Sequence, residues 1–354
     1  MNKIVNILKK KKSIPLDKFI NIALYDKKFG YYMKKNPFGK NGDFITSPMV
    51  SNLFGEMIGI WCISFWEYLG RPKKILLVEL GPGDGSLCYD LLETAKKFGD
   101  FYNSLEIKLL EISDKLKNVQ KVKINNKKVK WIKKLNKINS GPIIFIANEF
   151  FDALPIKQIY KKNKLFFERH VSLSADNKKL IFLNKKANKT LIKRIKDLNL
   201  ISSGSTIEYP IEALKFLDTI SKKINKFNGG LLTFDYGYNE KVNKDTLQSV
   251  KKHKYTNLFL TPGYSDITSH INFKLFSEFL EKKNLNTKKI TNQSEFLKKI
   301  GILERANILS EKMTFKQKAN LFYRMKRLLD YNEMGSLFKV IFAQKKDGRF
   351  SLGF

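Results

Sequence analysis

Cysteine is nearly missing from this sequence, and arginine is scarce among its many basic residues. The two cysteines, Cys62 and Cys88, lie in apolar helical contexts. Two thiols make neither a disulfide framework nor a four-ligand metal site. That excludes a disulfide-stapled secreted domain and zinc catalysis, and it suits a reducing cytoplasm. No metal site is expected. Apolar runs are short as well: none approaches the roughly 18 residues of a membrane-spanning helix, so no membrane insertion is expected. The basic start, Met1–Lys12, leads into Ser13-Ile14-Pro15 rather than an apolar stretch, and it does not read as a secretory signal. No internal repeat or low-complexity linker interrupts the chain.

Acidic residues are few: 33 against 67 basic ones, a formal charge of +34. Such an excess brings nucleic acid forward as a partner. Yet only seven of the basic residues are arginine, the side chain that bidentate phosphate and base contacts favour. Lysine here accompanies asparagine and isoleucine along the whole chain, as an AT-rich genome imposes on neutral surface positions. The densest stretches, 115–137 and 185–196, read as solvated faces. A nucleic-acid partner stays open but disfavoured.

What is present is a large apolar fraction, 43%, with 13% aromatic residues over 354 positions. That is enough for a sizeable core and suggests two units or one enlarged α/β domain. Residues 1–72 read as a helical cap, with Ser13 capping a helix that begins near Pro15 and a second helix over 49–69. From Lys73 the rhythm becomes strand, turn, helix, strand. Lys74–Leu80, Leu105–Ile112, Val129–Ile132 and Ile143–Ala147 are the strands, expected to lie parallel with right-handed crossovers. After Pro155 the pattern turns to antiparallel strands, over 157–171 and 179–183, and helices, so 156–227 reads as an inserted α+β segment. The core resumes at Gly230–Asp235 and, past a loop-rich stretch 236–270, runs to a last strand at Leu337–Gln344. The core is therefore 73–155 with 228–346.

Glu79-Leu80-Gly81-Pro82-Gly83-Asp84-Gly85-Ser86 follows the first strand, where an open α/β sheet binds a nucleotide-type ligand. Gly81 and Gly83 let ligand and backbone approach, and Gly85 lets the next helix pack close to the strand. Glu79 is placed to orient waters or accept from an ammonium group. The spacing is G-x-G-x-G with no Walker lysine-serine pair, which suits S-adenosylmethionine better than NAD or ATP. Glu111, closing the second strand, is the candidate acid for ribose hydroxyls.

Three further segments carry a resemblance: Gly42-Asp43-Phe44-Ile45-Thr46-Ser47-Pro48 with Phe54-Gly55-Glu56; Ala147-Asn148-Glu149-Phe150-Phe151-Asp152-Ala153-Leu154-Pro155; and Asp235-Tyr236-Gly237 leading to Thr261-Pro262-Gly263 and Asp266-Ile267-Thr268-Ser269-His270. With Glu79–Gly85, over about residues 13–305, the chain resembles the MidA-like family of S-adenosylmethionine-dependent methyltransferases. That resemblance implies a class I methyltransferase fold, Rossmann-like with a mostly parallel seven-stranded sheet. An N-terminal helical extension and an inserted substrate-recognition segment would accompany it. A mitochondrial member of the family is a respiratory complex I assembly factor that methylates an arginine of a core subunit. A protein arginine substrate, with a complex I subunit as candidate partner, is therefore implied. The sequence departs from the family pattern at Asp84, where arginine is common, at Met49, at Asn272 and after Trp131.

Carboxylates that grip a guanidinium in bidentate fashion can localise its charge and present one nitrogen to a methyl donor. Glu149 is the first candidate for this and Asp152 the second, with a cap on the next turn as the alternative role of Asp152. Asn148 could contact cofactor or substrate. Phe150 and Phe151 either wall the site or pack in the core. His270, in a loop with Asp266 and Thr268, is a candidate acid–base group or a structural histidine. Asp43, Phe44 and Thr46 belong to a candidate lid, or to a loop that docks the cap. Two rivals remain: an RNA methyltransferase, and an assembly chaperone that keeps the pocket without catalysis.

Overall fold

A computed structural model describes residues 2–34, 37, 39, 42, 46–201, 206–240 and 244–354. Asp43 and Phe44 of the candidate lid lie outside the described residues. The frame is a central sheet whose path holds seven strands: β1 (Ile75–Leu80), β2 (Leu105–Leu110), β3 (Val129–Ile132), β4 (Ile143–Asn148), β5 (Gly229–Tyr238), β6 (Leu285–Thr287) and β7 (Phe338–Lys345). Their spatial order is β3-β2-β1-β4-β5-β7-β6. Neighbours from β3 to β5 pair in parallel, and β7 runs antiparallel to both β5 and β6. Two short strands, Ile271–Asn272 and Thr291–Asn292, pair with β5 and β7.

The sequence explains the layering. β1 and β4 are apolar apart from Glu79 and Asn148 near their ends and are buried on both faces, so each face must be covered. Helices α1 (Leu16–Tyr25), α2 (Asn52–Tyr68), α3 (Ser86–Ala95), α4 (Asp114–Ile124), α5 (Ile211–Phe227) and α6 (Phe273–Lys282) supply most of the cover near the site. Leu53, Phe54, Trp61 and Phe65 of α2 pack with Leu87 and Leu91 of α3 on one face. Leu217, Ile220 and Ile224 of α5 pack with Phe276 and Leu280 of α6 on the other. From β1 the chain moves outward to β2 and β3, whereas β4 and β5 lie on the opposite side. The two directions part between β1 and β4, so a crevice opens at the carboxyl ends of those strands.

Beside this core stands a second, antiparallel sheet built from Ser13–Pro15, Lys157–Lys162, Leu165–Leu173, Leu180–Lys186 and Thr206–Tyr209. Its hairpin turns at Asn163 and Lys164, both at positive φ, splitting the strand expected over 157–171 into two. The same sheet corrects the reading of Ser13. Rather than capping α1, it pairs as a strand residue with Ser172, and α1 begins after Pro15 with no side-chain cap. The stretch 236–270, expected as loop, also carries a small sheet of Gln248–Lys251, Lys254–Thr256 and Asp266–Thr268. These strands span only three or four residues each, too short to show a periodicity.

Lys157 ties the two parts together. Its ammonium reaches Asp17 of α1 at 2.9 Å and also bonds Glu168 of the hairpin, all three side chains being largely withdrawn from water. Removing the lysine would leave two buried carboxylates uncompensated, a loss of about 3 kcal/mol or more for a buried pair. Lys157→Ala should therefore lower the thermal transition by several degrees. Adding Asp17→Asn and Glu168→Gln should recover part of the loss. A thermal scan of the single and triple variants checks this, and an unchanged single variant would remove the ion cluster as a tie.

Candidate active site

The crevice between β1 and β4 widens into a cavity of about 300 Å³. Its floor is the glycine turn. Gly81 and Gly85 both lie at positive φ, +63° and +85°, where a side chain is strained. A Cβ on Gly81 would also meet the Phe150 ring at 2.7 Å. Gly81 and Gly83 line the cavity. Gly85 does not: it starts α3 and backs onto Ile124 of α4, as its expected packing role requires. Asp84, where the family pattern has arginine, accepts from the Ser86 amide at 3.0 Å and its hydroxyl at 2.9 Å, and pairs with Lys123 at 2.6 Å. It thereby supplies the cap that glycine cannot give α3. Asn272, another departure, caps α6 through Leu275.

Two strand ends present polar atoms without partners. Glu79, at the end of β1, is 4% exposed, and its Oε2 has no hydrogen-bond partner. Burial, then the charges of Asp84 and Glu111, push its pKa up to about 8. Asn148, at the end of β4, likewise leaves Oδ1 unmatched, while its amide donates to Glu149 at 3.1 Å. Glu111 follows β2. It accepts from the Ser113 amide at 2.7 Å and from Gln120 at 3.0 Å, which orients both oxygens at the cavity edge. Burial raises its pKa against those two donors.

Glu149 sits at φ +51°, strained backbone for a side-chain-bearing residue, of the kind that collects at functional sites. Its Oε1 accepts from the Ser47 amide at 3.1 Å, which draws the turn after Thr46 over the cavity. Burial and the Asp152 charge push its pKa to about 8. Asp152 lines the cavity with a buried, unmatched Oδ1, and its pKa is raised by burial while the Tyr236 hydroxyl pulls it back. The Asp152 carboxyl also accepts from the Ala153 amide, and Asp235 braces the same turn, its Oδ2 accepting from the Phe151 and Asp152 amides at 3.0 and 3.3 Å. Asp266 accepts from the Tyr32 hydroxyl at 2.9 Å, and Tyr32 stacks on Tyr25 at 5.7 Å. Thr46, Asn148 and Asp266 all line the cavity; Phe150 walls it, whereas Phe151 is core. His270 stands apart from the lining. Its ring meets the Tyr236 ring edge-on at 5.5 Å, and burial lowers its pKa.

Seven carboxylates face this one cavity, from Glu79, Asp84, Glu111, Glu149, Asp152, Glu212 and Asp266, against one basic side chain, Lys133, among the described residues. In a chain with twice as many basic as acidic groups, that inversion marks a site for positive charge. The residues fit a ligand with a cationic end near Glu79 and a hydroxyl pair near Glu111. Sequence reasoning missed Gln120 and Tyr25 as parts of this arrangement, and it gave Asp235 no role beyond its place in a motif. Gln120 was detectable as a polar residue four positions from both Leu116 and Ile124, on the inward side of a helix. Among the described residues there is no cluster suited to a metal ion and no helix long and apolar enough to cross a membrane.

The sheet order and the crevice after β1 define a class I methyltransferase fold. Residues 57–291 match the family model described as "Putative S-adenosyl-L-methionine-dependent methyltransferase", and the chain belongs to that family. It is 31% identical to "Protein arginine methyltransferase NDUFAF7 homolog, mitochondrial" from Caenorhabditis elegans, over 88% of this chain and 78% of that one. Its identity to the Xenopus tropicalis protein of corresponding name is 29%, over 96% and 84%. A Burkholderia thailandensis protein crystallised with S-adenosyl-homocysteine superposes with a TM-score of 0.82 at 22% identity, covering 99% of this chain and 92% of that one. The cofactor is S-adenosyl-L-methionine and the chain is an enzyme. The relatives' names also overturn one expectation. They are named mitochondrial, so a cytoplasmic location does not stand. Unpaired thiols indicate a reducing compartment without telling one such compartment from another.

Protons held by Glu79 and Glu149 in the fold are released on unfolding once pH exceeds about 4.3. Their contribution is complete below that value and is lost as pH rises through about 8. His170 and His270, pushed down by burial, act in the opposite sense only below about 6.5. Stability of the ligand-free protein should thus fall by about 4 kcal/mol, about 2 for each carboxyl, between pH 6.5 and 8.5. Urea unfolding at the two values measures this, and flat or rising stability would mean that both carboxyls are ionised.

Proposed function

We propose that this enzyme transfers the methyl group of S-adenosyl-L-methionine to an arginine side chain of a protein. The single observation that carries the reading is the acidic cavity, whose buried, unmatched Asp152 oxygen lies among Glu149, Tyr236 and Asp266. A planar cation is the ligand such a set accepts. The cofactor supplies, when bound, a methyl group on positively charged sulfur. Glu79 would hold its ammonium group, Glu111 its ribose hydroxyls and Asn148 a neighbouring polar edge, with Gly81 and Gly83 allowing close approach.

The remaining work belongs to the chain. Glu149 and Asp152 would grip the guanidinium, and stacked Tyr25 and Tyr32 would flank it, with water kept out by the turn at Thr46. The nitrogen that gains a methyl group must shed a proton. Glu149, which the bound guanidinium would hold in its ionised form, is placed to receive it. His270 acts at one remove, backing the Tyr236 ring. Residues 1–72 would form the cap over the core of 73–155 and 228–346, and 156–227 the inserted unit that steadies it. The relatives named arginine methyltransferases support this reading, and a subunit of respiratory complex I is the substrate we favour. An RNA substrate is the poorer reading, because phosphates would meet carboxylates at the mouth.

Purified enzyme incubated with isotopically labelled donor and complex I subunits should place label on arginine, read by mass spectrometry of the digested subunits. Glu149→Gln and Asp152→Asn should each reduce turnover about 100-fold, the loss of a charged hydrogen bond, while S-adenosylhomocysteine affinity stays within about threefold. Label recovered in RNA or on lysine instead would sink the arginine assignment.

A further inference from the structure

Gln120 does not line the cavity, yet it touches three of the segments that build it. It is fully buried on α4. Its amide nitrogen donates to the Gly83 carbonyl at 2.8 Å and to Glu111 Oε2 at 3.0 Å, and its amide oxygen accepts from the Trp131 indole of β3 at 2.8 Å. The orientation is forced. An indole nitrogen can only donate, whereas a carbonyl and a carboxylate can only accept. Every hydrogen-bonding capacity of this amide except one oxygen lone pair is therefore used, with no freedom to flip.

From this geometry we infer that Gln120 is a positioning residue for the cofactor, clamping the glycine turn to Glu111 and anchoring both to β3. The inference rests on the assignment of Gly83 and Glu111 to cofactor binding. Mechanically, the Gln120 amide fixes one oxygen of Glu111 while the Ser113 amide fixes the other. The carboxylate plane is thereby set at the cavity edge. Without Gln120, Glu111 loses a donor that favours its charged form, and the Gly83 carbonyl becomes a buried acceptor without a partner.

Calorimetric titration with S-adenosylhomocysteine tests the idea. Gln120→Met, close in volume, should weaken binding about 10- to 100-fold. It should also raise the KM for S-adenosylmethionine more than that for the protein substrate, and move the acid limb of binding to higher pH. Trp131→Phe, which removes only the indole donor, should weaken binding about threefold, and Trp131 fluorescence should respond to ligand in the wild type. The double variant should bind like Gln120→Met alone, since both changes sever one chain of contacts. If Gln120→Met binds within twofold of the wild type, the proposal falls. If the two losses multiply, the linkage through Trp131 falls with it. Should Gln120→Met fail to fold, the milder Trp131→Phe decides, and full affinity there overturns the anchoring. A wild-type protein that took up no ligand would instead reject the assignment of the cavity itself.

Discussion

Buried negative charge at the carboxyl ends of β1 and β4 is the constraint around which this molecule is arranged. A carboxylate withdrawn from water without a partner is costly, and a protein ordinarily pairs it or protonates it. Here Lys157 and Arg305 pair with acids elsewhere, Asp17 and Glu56, and Lys123 pairs with Asp84 at the cavity itself. Glu79 and Asp152 are left with an unmatched oxygen each, and Glu149 accepts, among the described residues, from a main-chain amide and a side-chain amide. Their raised pKa values are the consequence of that incomplete solvation. A cationic ligand completes it, and so the unbound site stores part of the electrostatic energy that binding releases.

The supporting residues follow from holding those acids in place. Asp235, fully buried, spends its oxygens on the amides of Phe151, Asp152 and Tyr236, and this shapes the turn carrying Glu149 through its left-handed backbone. Gln120 does the corresponding work on the other side of the crevice. The N-terminal segment reaches in by a main-chain contact from Ser47 to Glu149 and by Tyr25 to the Ala153 carbonyl at 2.9 Å. Cap and core are therefore joined at the reacting end, while the Lys157 cluster joins the cap to the inserted sheet.

How much of this was readable from the residues varies with the kind of signal. β1 and β4 were plain, because a strand buried on both faces is a nearly unbroken apolar run, and β2 was plain because Leu105, Ile107 and Leu109 alternate with Glu106 and Lys108; each end is marked by glycine or an acid. Glu79, Gly81, Gly83 and Glu111 reach the cavity for the same local reason. The partners of those groups were not readable. Tyr25 and Tyr32 lie more than 200 residues from Asp266, and only tertiary packing brings them together. Ser13 looked like a helix cap because capping is a local preference, and a cross-chain pairing with Ser172 overrode it. The part of Asp235 in the same turn was hidden for the opposite reason, since it lies 83 residues from the Asp152 amide that it accepts from. His270 drew attention by its grouping with Asp266 and Thr268, yet the strand ends at Thr268, and His270 beyond it packs against the Tyr236 ring.

Net charge misleads about ligand charge in this protein, and the reason is one of distance. At about 4 Å, and with the dielectric response typical near a protein surface, a carboxylate and a cation interact by about 4 kcal/mol. A solvated lysine more than a Debye length away, about 8 Å at physiological ionic strength, contributes little through the intervening salt. The dense lysine stretches lie on exposed faces such as Lys185–Lys186 and Lys193, whereas the acids at the crevice are buried or half-buried. A positively charged shell therefore leaves the cavity's preference for a cation intact. Its influence falls on the approach, where it slows a basic partner and favours one whose surface is acidic around an exposed arginine.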